Sequence, residues 1–446
     1  MTTFIERPKF TCALGGAIAT LSSIHKTVPI VHSAGGCAAA LSNTYNTAGG
    51  YKGTGYCGGT MIPTSSIVEK DIVFGGEERL EEQIGSTIKA LDADLYFVIT
   101  GCQVEIIGDD AVGVTNRFKN GKESVLVANT PGFLGNSYKG YDAVLSTIAA
   151  ELVEKKATKN VRTVNILGIV PGQDVFFRGN IAGIKSLLNQ LGIKVNSFFG
   201  DGETVEKIKN YGDAALTIVF SDYYGIDTAK VFEEEHHIPY ITADLPIGET
   251  TTNAFLYKVG EELGIDPITI DELIAAEKIY YYSYLERILD IYSDIDLQRY
   301  AIISTDVNYA FSLTSFLADD LGWIPHLVVL NDTIDETGKE EYALKFNQLA
   351  SETKPTVIFE EHAGQLLKHI RQSWPDNNND KYYDALSPAF LVGSSLEGST
   401  ALKIGAAFLP VAFPITNRVV LNKGYTGYRG ALSLTEDIFS ALVSNR

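Results

Sequence analysis

The sequence is short of cysteine, of basic residues and of long apolar runs. Its hydrophobic stretches stop below the ~20 residues that a membrane-spanning helix needs, so no span is expected. Lysine and arginine number 36 against 55 acidic residues, for a formal net charge of -19. A phosphate backbone is met by clustered cations, so nucleic acid is excluded as a partner. Four cysteines in 446 residues are too few for a disulfide scaffold. The opening MTTFIERPKF has no apolar core followed by a small-residue cleavage site, so a cytoplasmic protein with reduced thiols is expected. Nucleotide fingerprints are missing too: the glycine-rich GDGET lacks the Lys-Ser/Thr element of a phosphate-binding loop.

What is present is the composition of a soluble globular protein, 45% hydrophobic and 20% charged, with length for roughly three domains. Strand and helix patterns alternate throughout. Residues 28–31 and 95–99 are buried-strand runs, and a helix follows with Leu80, Ile84 and Ile88 on one face. The pattern restarts at TVNILGIV and again at YAIISTD. This predicts an α/β chain of three Rossmann-like, doubly wound domains with parallel sheets, at residues 1–158, 159–290 and 291–446, with a helical bridge closing the second. The stretch from Ser42 through the glycine pairs to Pro63 is expected to be an irregular surface or interface loop. WPDNNNDKYYD (374–384) is expected to be a solvated loop. Tyr280, Tyr281, Tyr282 and Tyr284 on the bridge are expected to pack.

Cys37 and Cys102 each stand where a buried strand passes through glycine into a helix, and Cys12 stands at a third helix start. A lone free cysteine is commonly a small buried hydrophobe. Three of them at glycine-flanked helix starts favour a metal site, because helix N-termini stabilise thiolates and glycines let the backbone approach a bulky anionic cluster. None of the seven histidines forms a nucleophile-base motif with them, and there is no C-x-x-C knuckle, so an iron-sulfur cluster is favoured over a nucleophile. Three thiolates do not complete a four-cysteine shell. The remaining ligands are expected from another chain, with Cys57 as the internal alternative. His32 is read either as a hydrogen-bonding neighbour of the cluster or as a structural histidine. Asp109 and Asp110 are read as a helix cap or a solvated pair, and His236 and His237 as a helix end.

TCALGGAIATL, VPIVHSAGGCAAAL, EKDIVFGGEERL, ITGCQVEIIGDD, NTPGFLGNSYKGYD, DLPIGETTTNAFL and FPITNRVVLNKGYTGYRGAL occur in one order that resembles the nitrogenase component 1 family, and the resemblance spans nearly the whole chain. It implies a β-type subunit of a nitrogenase or nitrogenase-like reductase. Cys12, Cys37 and Cys102 would be this chain's metal ligands to an interfacial iron-sulfur cluster, P-type [8Fe-7S] or [4Fe-4S]. An α-type subunit, in an α2β2 heterotetramer, would supply the other ligands, and an ATP-dependent iron-sulfur reductase would supply electrons that pass on to a cofactor in the partner. An α-type cofactor site needs a cysteine in the second domain and a histidine in the third. VFSDYYGIDTA has no cysteine and no histidine follows His369, so the resemblance implies no such cofactor and no catalytic residue here. Where β-type subunits of molybdenum nitrogenase carry a serine that can ligate the oxidised cluster, this sequence has Asn136, followed by Ser137. The alternative role is a scaffold subunit for cofactor assembly.

Overall fold

The computed structural model describes residues 5, 7–50, 62–119, 124–294, 297–374 and 389–444. Among these residues twelve strands form three wholly parallel sheets. The first has the order β1 (Thr27–His32), β2 (Leu95–Thr100), β3 (Val125–Ala128). In the second, β4 (Asn160–Leu167) lies between β5 (Lys194–Asn196) and β6 (Ala214–Val219), and β7 (Tyr240–Thr242) is the far edge. The third runs β10 (Thr356–Phe359), β9 (Ile324–Leu330), β8 (Tyr300–Thr305), β11 (Ala389–Gly393), β12 (Ala407–Pro410). The expected class is therefore correct: parallel strands alternate with helices, and a central strand covered on both faces reads as an unbroken apolar run. All six residues of β2 are buried.

The chain gathers into two compact units. One comprises Phe10–Phe177 with Ile193–Thr242 and holds the first two sheets. The other comprises Met1–Lys9, Arg178–Gly192 and Ala243–Arg446 and holds the third.

In the first unit, the α-helices of the described residues before β4 are α1 (Ala13–Ser23), α2 (Gly35–Ala48), α3 (Glu69–Phe74), α4 (Glu77–Ala90), α5 (Cys102–Ile107), α6 (Ala111–Asn116) and α7 (Ser137–Glu151). Leu80 and Ile84 of α4 pack with Ile30, Tyr96 and Val98 of the sheet. Helix α2 corrects one expectation: residues 42–48 continue the helix that Cys37 opens, because alanines and small polar residues sustain it until Gly49 and Gly50. Cys57 and most of the glycine-rich stretch lie outside the described residues, as do residues 375–384.

The motif NSYKGYD has a mechanical meaning in α7. A Cβ on Gly140 would stand 1.8 Å from the Ala13 carbonyl oxygen, and one on Gly16 would stand 1.8 Å from the Ser137 carbonyl oxygen, so α1 and α7 cross backbone to backbone. The Tyr141 hydroxyl accepts from the Gly168 N–H (3.1 Å) at the end of β4. Asp142 accepts from the Gly225 N–H (3.0 Å), the Thr228 N–H (3.1 Å) and the Thr228 hydroxyl (2.8 Å), tying α7 to the helix Ile226–His236. His236 then donates from Nε2 to the Ala149 carbonyl (2.7 Å), a structural use of the residue read only as a helix end.

In the second unit, strand order reverses between β8 and β11, and in open α/β sheets the crevice at that point is where ligands bind. Here it is filled by the chain's own Lys9, which is 2% exposed. Its ammonium meets Glu397 Oε1 at 2.9 Å and donates to the Ser304 hydroxyl (2.8 Å) and carbonyl (3.1 Å). Asp332, after β9, is fully buried and accepts from the Val307 N–H (3.0 Å); burial pushes its carboxyl up to about 8. Its folded pKa lies above the ordinary carboxylate value, so this group penalises the folded state progressively as pH rises from about 4 to about 8. Asp332→Asn keeps an acceptor for Val307 and removes the charge. Its melting temperature is expected to fall less than that of the native chain between pH 5 and pH 8.5, with a gain on the order of several kcal/mol at the upper end. Parallel pH profiles for the two proteins would contradict this assignment.

Candidate metal centre

Three strand-to-helix or loop-to-helix turns in the first unit carry the cysteines. Cys12 is the N-cap of α1 and pairs backbone to backbone with Asn136. Cys102 opens α5 after Gly101, and Cys37 lies in the first turn of α2. All three are free and half-buried.

Cys12 and Cys102 meet at one point, Gly132. Its N–H donates to Cys102 Sγ at 3.0 Å. A Cβ placed there would lie 3.0 Å from Cys102 Sγ and 3.6 Å from Cys12 Sγ, so both sulfurs face the same small volume. Cys37 stands on a separate turn. Among the described residues no group of three or more His, Cys, Asp or Glu side chains is close enough to hold one metal ion. A polynuclear iron-sulfur cluster draws on a wider set of thiolates than a single ion does, and its sulfurs accept backbone N–H bonds. The observed features suit such a group: two thiols, a backbone donor aimed at one of them, and a glycine where a side chain would intrude.

The surroundings hold these turns rigid. His32, at the end of β1, is fully buried; Nε2 lies 3.1 Å from Asp109 Oδ2 and Nδ1 lies 2.9 Å from the Ser65 hydroxyl. Burial lowers the His32 pKa, against the opposing pull of Asp109. The neutral ring therefore donates from Nε2 and accepts at Nδ1. Asp109 also accepts from the Gly76 N–H through both oxygens (3.0 and 3.1 Å), so it is a buried junction rather than a solvated charge. Asp110 accepts from the Gly113 N–H (2.8 Å) as the N-cap of α6. His32 is thus a structural histidine linking the end of β1 to the turn after α5. Ser33 donates to Gln103 Oε1 (3.0 Å), beside Cys102. On the other side, the Tyr45 hydroxyl of α2 lies 2.5 Å from the Thr11 hydroxyl, next to Cys12.

Composition alone offers little sign of the apolar rim. Phe133 and Leu134, directly after Gly132, are 66% and 46% exposed. Ile106, one turn along α5 from Cys102, is 74% exposed, and Val73 and Phe74 of the neighbouring α3 are 73% and 81% exposed. The run DIVF is a short helix whose apolar end is exposed.

The sequence profile of the family described as "Nitrogenase component 1 type Oxidoreductase" matches residues 12–443. The chain belongs to that family. Its similarity within the family is to β-type subunits. The molybdenum-iron protein beta chain of Methanococcus maripaludis is 26% identical, across 99% of this chain and 95% of the relative. A nitrogenase iron-molybdenum cofactor biosynthesis protein of Clostridium pasteurianum is also 26% identical, across 96% of this chain and 86% of the relative. Among solved structures, "Nitrogenase Cp1 at pH 6.5" superposes with a TM-score of 0.81 at 21% identity, covering 100% of this chain and 94% of that one, so the nitrogenase component 1 fold is shared. Among the described residues no helix is long and apolar enough to cross a membrane.

Proposed function

We propose that this chain is the β-type subunit of a nitrogenase or nitrogenase-like reductase, and that Cys12, Cys37 and Cys102 are its ligands to an iron-sulfur cluster completed by an α-type partner. The carrying observation is the convergence of the Cys12 and Cys102 thiols on Gly132 inside a rim of exposed apolar side chains. Contiguous exposed apolar surface marks an interaction site, and a partner seated on that rim would bury the half-exposed sulfurs. A cluster bound there supplies one-electron chemistry between an ATP-dependent reductase and a cofactor in the partner. The chain's own part is to hold three thiolates, to donate the Gly132 N–H to Cys102, and to keep water off the site through the rim. His32, Ser65 and Asp109 fix the turns and carry no chemistry in this reading. The proposed assembly is an α2β2 heterotetramer.

The test is anaerobic purification with the partner subunit. Iron and sulfide are expected in the complex, and Cys102→Ala or Cys12→Ala is expected to remove most of the cluster's iron and its electron paramagnetic resonance signature. A complex without iron, or one whose iron survives both substitutions, overturns the assignment. The similarity to a cofactor biosynthesis protein over 96% of the chain favours a second reading, a scaffold on which a cofactor is built and released. Reductase-dependent substrate reduction by the purified complex excludes scaffolding as its sole role.

A further inference from the structure

A groove lies in the second unit, between the helix Pro267–Leu285 and the closing helix Gly427–Ser444, far in sequence from the cysteines. It encloses about 870 Å³, within the range of organic-ligand sites. Its floor is apolar, with Leu297, Leu432 and Phe439 among the lining residues. Along one side runs an ordered row. The Tyr280 and Tyr284 rings, one helical turn apart, have centroids 5.1 Å from each other. The Arg429 guanidinium carbon lies 4.5 Å over the Tyr280 ring, and that of Arg287 lies 5.6 Å over the Tyr284 ring. The expectation that these tyrosines simply pack holds for Tyr281, which is buried; Tyr280 and Tyr284 are 36% and 47% exposed.

Neither arginine has an ion-pair partner among the described residues. Both line one apolar groove in a chain with 55 acidic residues. Stacking on a ring occupies the guanidinium face and leaves its N–H edges free for a carboxylate or phosphate. Glu436, seven residues after Arg429, lies on the same helix face and also lines the groove. At 1.5 Å per residue it is about 10 Å from Arg429 along the axis. Tyr281 packs on Tyr428 and Tyr292 on Phe439, so the two walls run in the same direction, with Arg429 at one end of the groove, tyrosine rings along it, and Arg287 with Glu436 toward the other end.

We infer that this groove binds a small organic anion that carries an aromatic ring, with its anionic group on Arg429, its ring along the tyrosine wall and a hydrogen-bond donor directed to Glu436. Phosphate and carboxylate sources share this chemistry, so the titration has two arms: adenosine monophosphate and 4-aminobenzoate, each added to the full chain and followed by calorimetry. At least one is expected to bind, more weakly as salt rises. Arg429→Gln is expected to weaken it about tenfold, while Tyr280→Phe, which keeps the ring, leaves it within about twofold. Adenosine and inorganic phosphate, which carry the ring or the anion alone, are expected to bind at least about tenfold more weakly than the monophosphate. Absence of binding in both arms overturns the inference. So does affinity unchanged in Arg429→Gln, or inorganic phosphate binding as tightly as the monophosphate.

Discussion

Replacing Lys9 by alanine is expected to cost about 3–5 kcal/mol of stability, because it strips one partner from a fully buried ion pair. Glu397 is 1% exposed, and without the ammonium at 2.9 Å its charge has no counter-ion in the crevice beyond β8 and β11. Oε2 would keep its bonds from the Ser394 N–H (2.6 Å) and hydroxyl (2.7 Å), which orient the carboxylate without neutralising it. The cost therefore belongs to the orphaned charge, and removing both charges together separates the two effects. Lys9→Met with Glu397→Gln keeps the volume and the Ser394 bonds, and is expected to recover most of the loss. Denaturant midpoints of the two single variants and the double variant close the cycle. Additive losses would show that Lys9 acts by filling space, not by pairing.

That lysine also marks where local reading stops. The sheets were legible because a parallel strand covered on both faces must be apolar along its whole length, as in residues 95–99, and because each strand ends in glycine or a turn before its helix. The cysteine turns followed from the same punctuation. Lys9 carries no such signal: a basic residue among the first ten reads as solvated, and its burial depends on strands some 300 residues later that place Ser304 and Glu397 around it. Asp109 was misread for the same reason, since its partners His32 and Gly76 belong to other turns. The α3 rim carries no local signal either, because Val73 and Phe74 are apolar yet exposed. In the reading proposed above, the surface that covers them belongs to another chain and leaves no periodicity in this one.

Gly140→Ala is expected to be the most damaging single-methyl change in the first unit. Its Cβ would stand 1.8 Å from the Ala13 carbonyl oxygen and 2.7 Å from the Ala17 nitrogen, both backbone atoms of α1. No rotamer change relieves a clash with backbone, so the two helices must separate, and the cost is expected at or above the upper end of the usual ~1–3 kcal/mol for overpacking. The displacement falls where it matters. Helix α1 begins immediately after Cys12, and α7 begins immediately after Asn136, whose backbone pairs with Cys12. Separating them pulls the Cys12 sulfur away from Gly132 and Cys102. Gly16→Ala makes the reciprocal clash against Ser137 and is expected to act alike. Gly36→Ala is the control: it adds the same methyl next to Cys37, where nothing lies within 4 Å of the new atom. It is expected to be neutral or to gain up to about 1 kcal/mol from helix propensity. Melting temperatures measure the first effect, and iron retained by the anaerobic complex measures the second. If Gly140→Ala melted like the native chain, the close crossing of α1 and α7 would be refuted. If it lost stability but kept all its iron, the crossing would stand, but its role in placing Cys12 would not.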